Sequence, residues 1–405
     1  MNRNRVILGF LLVPWAGLCL VSAYWIAQID TAADPDSDPQ VERVQSDPAT
    51  PEGHGSYEPE VEYVAPDEIE VDRAPELRFG PYSRHDTFAT DFSVERAAAF
   101  IDKVSLTWGT KYGCVTCHTN GYYMTAPKAI FGNRPAFQEV RRGAERFVQT
   151  WNPEDLPTPD YVVATAAFLT INDVQMGREL GATTLKALDL AWSMQNEDGY
   201  WTEWSKCNWP PYESDDHFGP SLLALAIGMA PESYARTETV LRGMARIRGY
   251  LASHPPAQIH HKAMLLWVSR YVEGIVAEVD RVAWVSELLD LQRQDGGWAS
   301  GDLGQWRQLN GKPSDPPVTV ESDGYGTGFV VFVLRQAGVP AADPRIRRGV
   351  TWLRTHQRSD GQWWTQSLRN EPDTDNFLTH TGTTFALKAL DAADTLGTAA
   401  DSAGL

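Results

Sequence analysis

Cysteine is scarce in this chain. Four occur in 405 residues, and one of them, Cys19, sits inside an apolar N-terminal run. Beyond it only Cys114, Cys117 and Cys207 remain, so a plain disulfide leaves one thiol over and pairwise crosslinking does not account for the set. Positive charge is also in deficit. The 35 Lys and Arg stand against 53 Asp and Glu, a net charge of -18. Phosphate backbones repel such a surface, which argues against nucleic acid as a partner. Apolar residues are not short: 42% of the chain is hydrophobic, with 15 Trp and 14 each of Tyr and Phe, which supports a sizeable core.

The N-terminus places two arginines before an uncharged run from Val6 to Ala27, with acidic residues following. That length spans a bilayer, and the positive flank leaves the rest of the chain outside the cytoplasm. Residues 1–28 are therefore expected to be a single-pass anchor of an extracytoplasmic, periplasmic protein. Val21-Ser22-Ala23 would also suit a signal-peptide cleavage site, and Cys19 lacks the small residue expected before a lipidated cysteine. Residues 29–80 are rich in Asp, Glu, Pro, Ser and Thr and cannot bury enough surface to fold, so they read as a disordered acidic linker. Residues 81–395 form the globular domain and 396–405 a tail.

Three segments of that domain resemble one another: LAWSMQNEDGYW (190–201), LLDLQRQDGGW (288–298) and WLRTHQRSDGQWW (352–364). Each predicts a helix that stops at an Asp-Gly turn, where glycine tolerates positive φ, with a Trp folding back as a cap on the helix it follows. A repeat of this kind calls for a repeat architecture. Charged, one-faced helices are expected near 93–107, 137–150, 178–195, 237–253, 281–293 and 344–357. Nearly all-apolar helices are expected near 121–131, 160–170, 218–229, 259–273, 325–337 and 381–393. Six outer and inner pairs close naturally as a ring, so the expected fold is all-α, a single (α/α)6 toroid around a central cavity.

With Gln195 and Trp201, Gln292 and Trp298, and Gln357 and Trp363 in matching positions, the chain resembles the squalene-hopene cyclase and prenyltransferase superfamily over roughly residues 90–395. The resemblance implies an α/α toroid, one where the squalene-type cyclases have two helical domains. It also implies a proton donor at the family's DxDD motif, whose nearest match is Glu213-Ser214-Asp215-Asp216. A carboxyl beside other carboxylates at an apolar mouth would have the raised pKa that a general acid needs. The first Asp of the motif is Glu213, and Glu-Ser-Asp recurs at Glu321-Ser322-Asp323. Recurrence favours a structural job, with Asp215 and Asp323 capping inner helices.

In the first repeat the place of Glu-Ser-Asp is taken by GCVTCHTN, residues 113–120. CxxCH is the spacing by which two thioethers and an imidazole hold a c-type haem, here Cys114, Cys117 and His118 as proximal ligand. A CxxC disulfide and a zinc clip are the rival readings. The chain is similar in this respect to CxxCH-bearing, exported members of the squalene-cyclase-like group. Met124 is near in sequence, and His217, His260, His261 and His380 each begin an inner helix, so any of these could be the sixth ligand.

The leading expectation is a membrane-tethered toroid with one covalent haem, acting in electron transfer or haem-dependent oxidation with a redox partner protein or a hydrophobic small molecule in the cavity. The competing expectations are an acid-initiated isoprenoid cyclase using Glu213, Asp215 and Asp216, and a non-enzymatic binding or scaffold module.

Overall fold

The structure is a computed structural model that describes residues 79–152, 159–202, 204, 210–212, 215–306, 321–368 and 376–396. The expected anchor (1–28), the linker up to residue 78, Cys207, Glu213 and the tail from 397 lie outside the described residues. No helix among the described residues is long and apolar enough to cross a membrane.

Within the unit Glu70–Leu405 the described chain is helical, with one isolated bridge between Phe88 and Arg358 and no strand. The outer helices are α1 (Val94–Tyr112), α3 (Pro135–Thr150), α5 (Ala182–Ser193), α8 (Glu238–Ser253), α10 (Glu278–Asp290) and α12 (Pro344–Thr355). The inner elements are a π-helical turn (Cys117–Gly121), α4 (Pro159–Gln175), α6 (Phe218–Met229), α9 (Ile259–Val268), α11 (Gly324–Gln336) and α13 (Leu378–Ala392). One-turn helices α2 (Lys128–Phe131) and α7 (Glu232–Ala235) and a 3-10 turn (Ser300–Leu303) lie between them. Each inner element packs on the next, and α13 returns to the π-turn, which closes an (α/α)6 toroid.

Burial sorts the two layers. In α12 only one face is covered, through Ile346, Gly349, Val350, Trp352 and Leu353, whereas every residue of α13 from Leu378 to Leu390 is buried. The outer helices keep the charges because one side of each meets water.

The repeated turns are the joints of the ring. Trp201, Trp298 and Trp363 are fully buried, and their indole N–H groups donate to Ala191, Leu288 and Leu353 carbonyls at 2.9, 2.7 and 2.7 Å. Each satisfies a carbonyl that the end of its own outer helix leaves open. The glutamine does the opposite and reaches outward. Gln195 donates to Gly243 of α8, Gln292 to Arg345 of α12, and Gln357 to Ser93, the N-cap of α1. Gly199, Gly296 and Gly361 adopt φ of 96°, 92° and 101°, and a Cβ on Gly361 would lie 2.3 Å from the Arg96 carbonyl oxygen of α1. Glycine is required there both for the backbone sign and for the close approach.

The middle of the ring is filled by aromatic side chains. Tyr122, just after the π-turn, packs on Phe385 of α13 at 4.8 Å between ring centroids, and its hydroxyl reaches Met264 Sδ of α9 across the ring at 3.8 Å. Tyr325 and Phe329 stack beside them, and Phe385 meets both rings edge-on, all three fully buried.

The first pair differs from the expected helices. α1 runs five residues past 107, to Tyr112, and stops at Gly113 with φ 66°. The inner helix expected over 121–131 is instead a π-turn, a short helical step and α2. Pro127 is the N-cap of α2, and Gly121 lies so close to Phe168 and to the Thr116 carbonyl that no Cβ fits.

Candidate functional site

All six inner elements begin at the same end of the ring, because each follows an outer helix running the other way. Residues of their first turns touch one another: Thr119 with His380, Phe218 with His260, and His260 with Tyr325. The sequence-derived candidates therefore gather at one mouth.

Cys114, Cys117 and His118 line a single cavity of about 330 Å³ together with Trp108, Val115, Thr116, Asp160, Tyr161, Ala164 and Trp204. The two thiols are not bonded to each other. Burial pushes the Cys114 thiol above its ordinary pKa, offset in part by the neighbouring Trp108 indole. The loop is pinned by Asn120, whose side chain accepts from Thr116 N–H at 2.9 Å and donates to the Cys114 carbonyl at 2.9 Å. The π-turn closes with Gly121 N–H on the Thr116 carbonyl at 2.9 Å. Extra-residue turns of this kind re-aim side chains and recur at functional sites.

His118 is 5% exposed. Its ring stacks on Phe377 at 5.2 Å and meets the Trp108 edge at 4.8 Å. Nδ1 lies 3.0 Å from Thr119 Oγ1, which lies 3.0 Å from His380 Nδ1, and His380 Nε2 lies 3.2 Å from the Tyr82 hydroxyl. Thr381 donates to the His118 carbonyl at 2.5 Å, and Lys388 Nζ donates to the Thr125 carbonyl at 2.7 Å. Helix α13 thus grips the first inner element along its length. Burial lowers the Lys388 pKa to about 7.

His217 and His261 form a stack at the starts of α6 and α9, 4.6 Å apart and 10° from parallel, with His260 6.2 Å from His261. His260 Nε2 bonds the Tyr325 hydroxyl at 2.8 Å. Burial holds His217 near pKa 3 and His261 near 4, and pushes His260 well below the ordinary value. These imidazoles are neutral at pH 7. None of His217, His260, His261, His380 or Met124 lines the CxxCH cavity. Among the described residues no group of three or more His, Cys, Asp or Glu is arranged to hold a metal ion.

Asp215 accepts the His217 backbone N–H at 3.0 Å and lies 3.4 Å from His261 Nε2, with its side chain 39% exposed. Asp216 beside it is half-buried. Asp323 is the N-cap of α11. It accepts from Gly326 N–H at 2.8 Å and from Ser300 N–H and hydroxyl at 3.0 and 2.6 Å, while burial raises its pKa to about 6. The recurring Asp thus has a full cap in α11. In the α6 copy the cap position is His217, and Asp215 lies two residues before it.

Sequence reasoning did not single out Thr119, Asn120, Tyr82, Tyr161 or Trp204. The short polar residues directly after His118, and the run THTGTT at 379–384, were the available signal.

No family model and no curated protein matches the chain. Among solved structures it is similar to a polysaccharide lyase (TM-score 0.47, 14% identity, 75% of this chain and 98% of that one). It is similar to the type II terpene cyclase MstE from Scytonema (TM-score 0.46, 14% identity, covering 75% and 97%). It is also similar to the ent-copalyl diphosphate synthase from Streptomyces platensis (TM-score 0.42, 16% identity, covering 68% of this chain and 50% of that one).

Proposed function

We propose that this chain is an extracytoplasmic, membrane-tethered α/α toroid that carries one covalent c-type haem and acts in redox chemistry. The observation that supports it is the convergence of Cys114, Cys117 and His118 on one cavity with otherwise largely apolar and aromatic walls. Cys114 and Cys117 would hold the group through thioethers. His118 would bind iron through Nε2, because Nδ1 is engaged by Thr119. A haem bound there supplies one-electron chemistry. Trp108, Val115, Ala164 and Trp204 would shield it from water, and Thr116, Tyr161 and Asp160 are further polar side chains in the cavity. Among the described residues that line the cavity, His118 is the single imidazole.

The test is export of the full chain with a cytochrome c maturation system. The expected result is haem stain retained on a denaturing gel and a Soret band that survives acid-acetone extraction, both lost in Cys114→Ser/Cys117→Ser. A colourless wild-type protein overturns the proposal.

A second reading is an acid-initiated isoprenoid cyclase, favoured by Asp215 and Asp216 standing at the ring's mouth with Asp215 beside His261. A polyprenyl substrate needs room in the ring, where Tyr122, Tyr325 and Phe385 already lie, so this reading ranks second. Product from a polyprenyl substrate that persists in Asp215→Asn would exclude Asp215 as the donor.

A further inference from the structure

The CxxCH cavity has in its wall an oxidisable ring that also leads outwards. Trp108 lines the cavity and is 8% exposed, with its ring centroid 4.8 Å from that of His118. One turn further along α1 stands Tyr112, whose ring centroid is 4.4 Å from that of Trp108. Tyr112 is 46% exposed, and among the described residues Tyr271 is the other exposed Tyr or Trp. His118, Trp108 and Tyr112 are thus three rings in contact between the cavity and water. The five residues by which α1 outruns its expected end at 107 carry both outer members.

Burial accounts for Trp108, whereas a ring left 46% in solvent at a helix end returns less of that stabilisation. What Trp and Tyr add over other aromatic residues is oxidation by one electron, and rings in contact avoid the steep loss of rate that a gap through protein imposes. Two more oxidisable rings line the cavity, Tyr161 and Trp204. Trp204 is fully buried and pairs with the buried Phe218, so it leads inward, and the half-buried Tyr161 is the rival exit. Lys111 Nζ lies 5.2 Å from the Tyr112 centroid and puts positive charge beside the exposed ring of a chain whose net charge is -18. An anionic donor is attracted to such a spot.

We propose that Trp108 and Tyr112 are an electron relay through which the cavity oxidises an anionic phenol at the protein surface. The relay rests on the haem function proposed above, with a peroxide as the oxidant. Overall, one peroxide ROOH and two phenols AH give ROH, water and two phenoxyl radicals. For each phenol, one electron passes from Tyr112 through Trp108 into the cavity, and the Tyr112 phenol proton goes to water. The tyrosyl radical then takes one electron and one proton from AH, which restores Tyr112. The two protons released to water balance the two taken up as the peroxide O–O bond breaks.

The test uses the full chain in detergent and has two arms. In the haem-loaded chain, freeze-quenched after hydrogen peroxide, electron paramagnetic resonance should show a tyrosyl radical that narrows when the tyrosines are ring-deuterated. The signal should be lost in Tyr112→Phe and in Trp108→Phe and kept in Tyr161→Phe. Peroxide-driven oxidation of ferulate should be lost with it, while an unchanged Soret band shows that Tyr112→Phe is folded and loaded. A radical that survives Tyr112→Phe, or that disappears in Tyr161→Phe instead, overturns the relay.

The second arm needs no haem. Cys114 also borders the groove between α1 and α3, which gives room for a ruthenium polypyridyl label on it in Cys19→Ser/Cys117→Ser/Cys207→Ser. Flash photo-oxidation of the label should place the radical on Tyr112, and on Trp108 when Tyr112 is Phe. A radical that reaches neither ring overturns the relay whether or not haem binds. A wild type that takes up no haem rejects the proposed function and leaves the flash experiment to decide the relay.

Discussion

Gln357 holds both backbone groups of Ser93: its amide donates to the Ser93 carbonyl at 2.8 Å and its oxygen accepts the Ser93 N–H at 2.8 Å. The last outer turn is thereby fastened to the first outer helix, and the ring is closed by side-chain chemistry as well as by packing. Gln357 is 1% exposed, whereas Gln195 is half-buried and makes its single inter-helix bond at 3.1 Å. Gln357→Ala should cost about 2–4 kcal/mol, because the half-buried Ser93 backbone groups and the buried Gly361 carbonyl lose their partner. Gln195→Ala should cost about 1 kcal/mol. Urea denaturation of the two variants checks the order.

At Gly361, with φ of 101°, an added Cβ would lie 2.3 Å from the Arg96 carbonyl oxygen, while Gly113 has φ of 66° and open space around it. Gly113→Ala should lose about 1–2 kcal/mol from the left-handed backbone alone. Gly361→Ala adds overpacking against α1 and should lose about 3 kcal/mol or more in total. Equal losses in thermal unfolding would show that the contact with α1 is not tight.

Asp323 accepts three hydrogen bonds in a fully buried position. Asp323→Ala should destabilise by about 2–4 kcal/mol, since Ser300 and the first turn of α11 lose their acceptor. Unchanged stability would refute the capping role.

Acid should weaken the fold through the stacked histidines. An unfolded histidine takes up its proton near pH 6.5. In the fold His261 does so only at about 4 and His217 at about 3. Between those values the unfolded state binds more protons, so stability is complete above pH 6.5 and falls as pH drops towards 4, by at most about 1.4 kcal/mol per pH unit for each group. His261→Asn should flatten this limb in denaturation curves taken from pH 7 to pH 4.

Lys388 acts on the alkaline side. The unfolded side chain keeps its proton to about pH 10.4, whereas the buried one releases it at about 7. The unfolded state again binds the extra proton, so this residue makes stability rise with pH between 7 and 10, by at most about 1.4 kcal/mol per pH unit. Lys388→Met should remove that slope, which chemical denaturation at pH 7, 8.5 and 10 would reveal.

The architecture was legible because it is carried by local and periodic chemistry. The three Gln-to-Trp turns, the charged outer helices and the apolar inner ones marked the ring apart from its first inner element, and α6 falls on the residues expected for it. Asp323 was legible as a cap for the same reason: a short acidic side chain just before an apolar helix has few other jobs. The first inner element was not, because the helix pattern of 121–131 yields to contacts made elsewhere, with Phe168 pressing on Gly121 and Thr381 holding the His118 carbonyl.

The candidate site divides along the same line. Residue type and spacing alone singled out Cys114, Cys117 and His118, since CxxCH is a local motif. Which groups surround them depends on residues far away in sequence that ring closure brings together: Thr119 meets His380 across 261 positions, and His380 meets Tyr82 across 298. The histidines at the starts of α6 and α9 went to a separate stack for the same reason. Sequence fixes which helix turn a side chain occupies, but only the packing of the six inner elements sets which turns face one another, and that decided what surrounds His118.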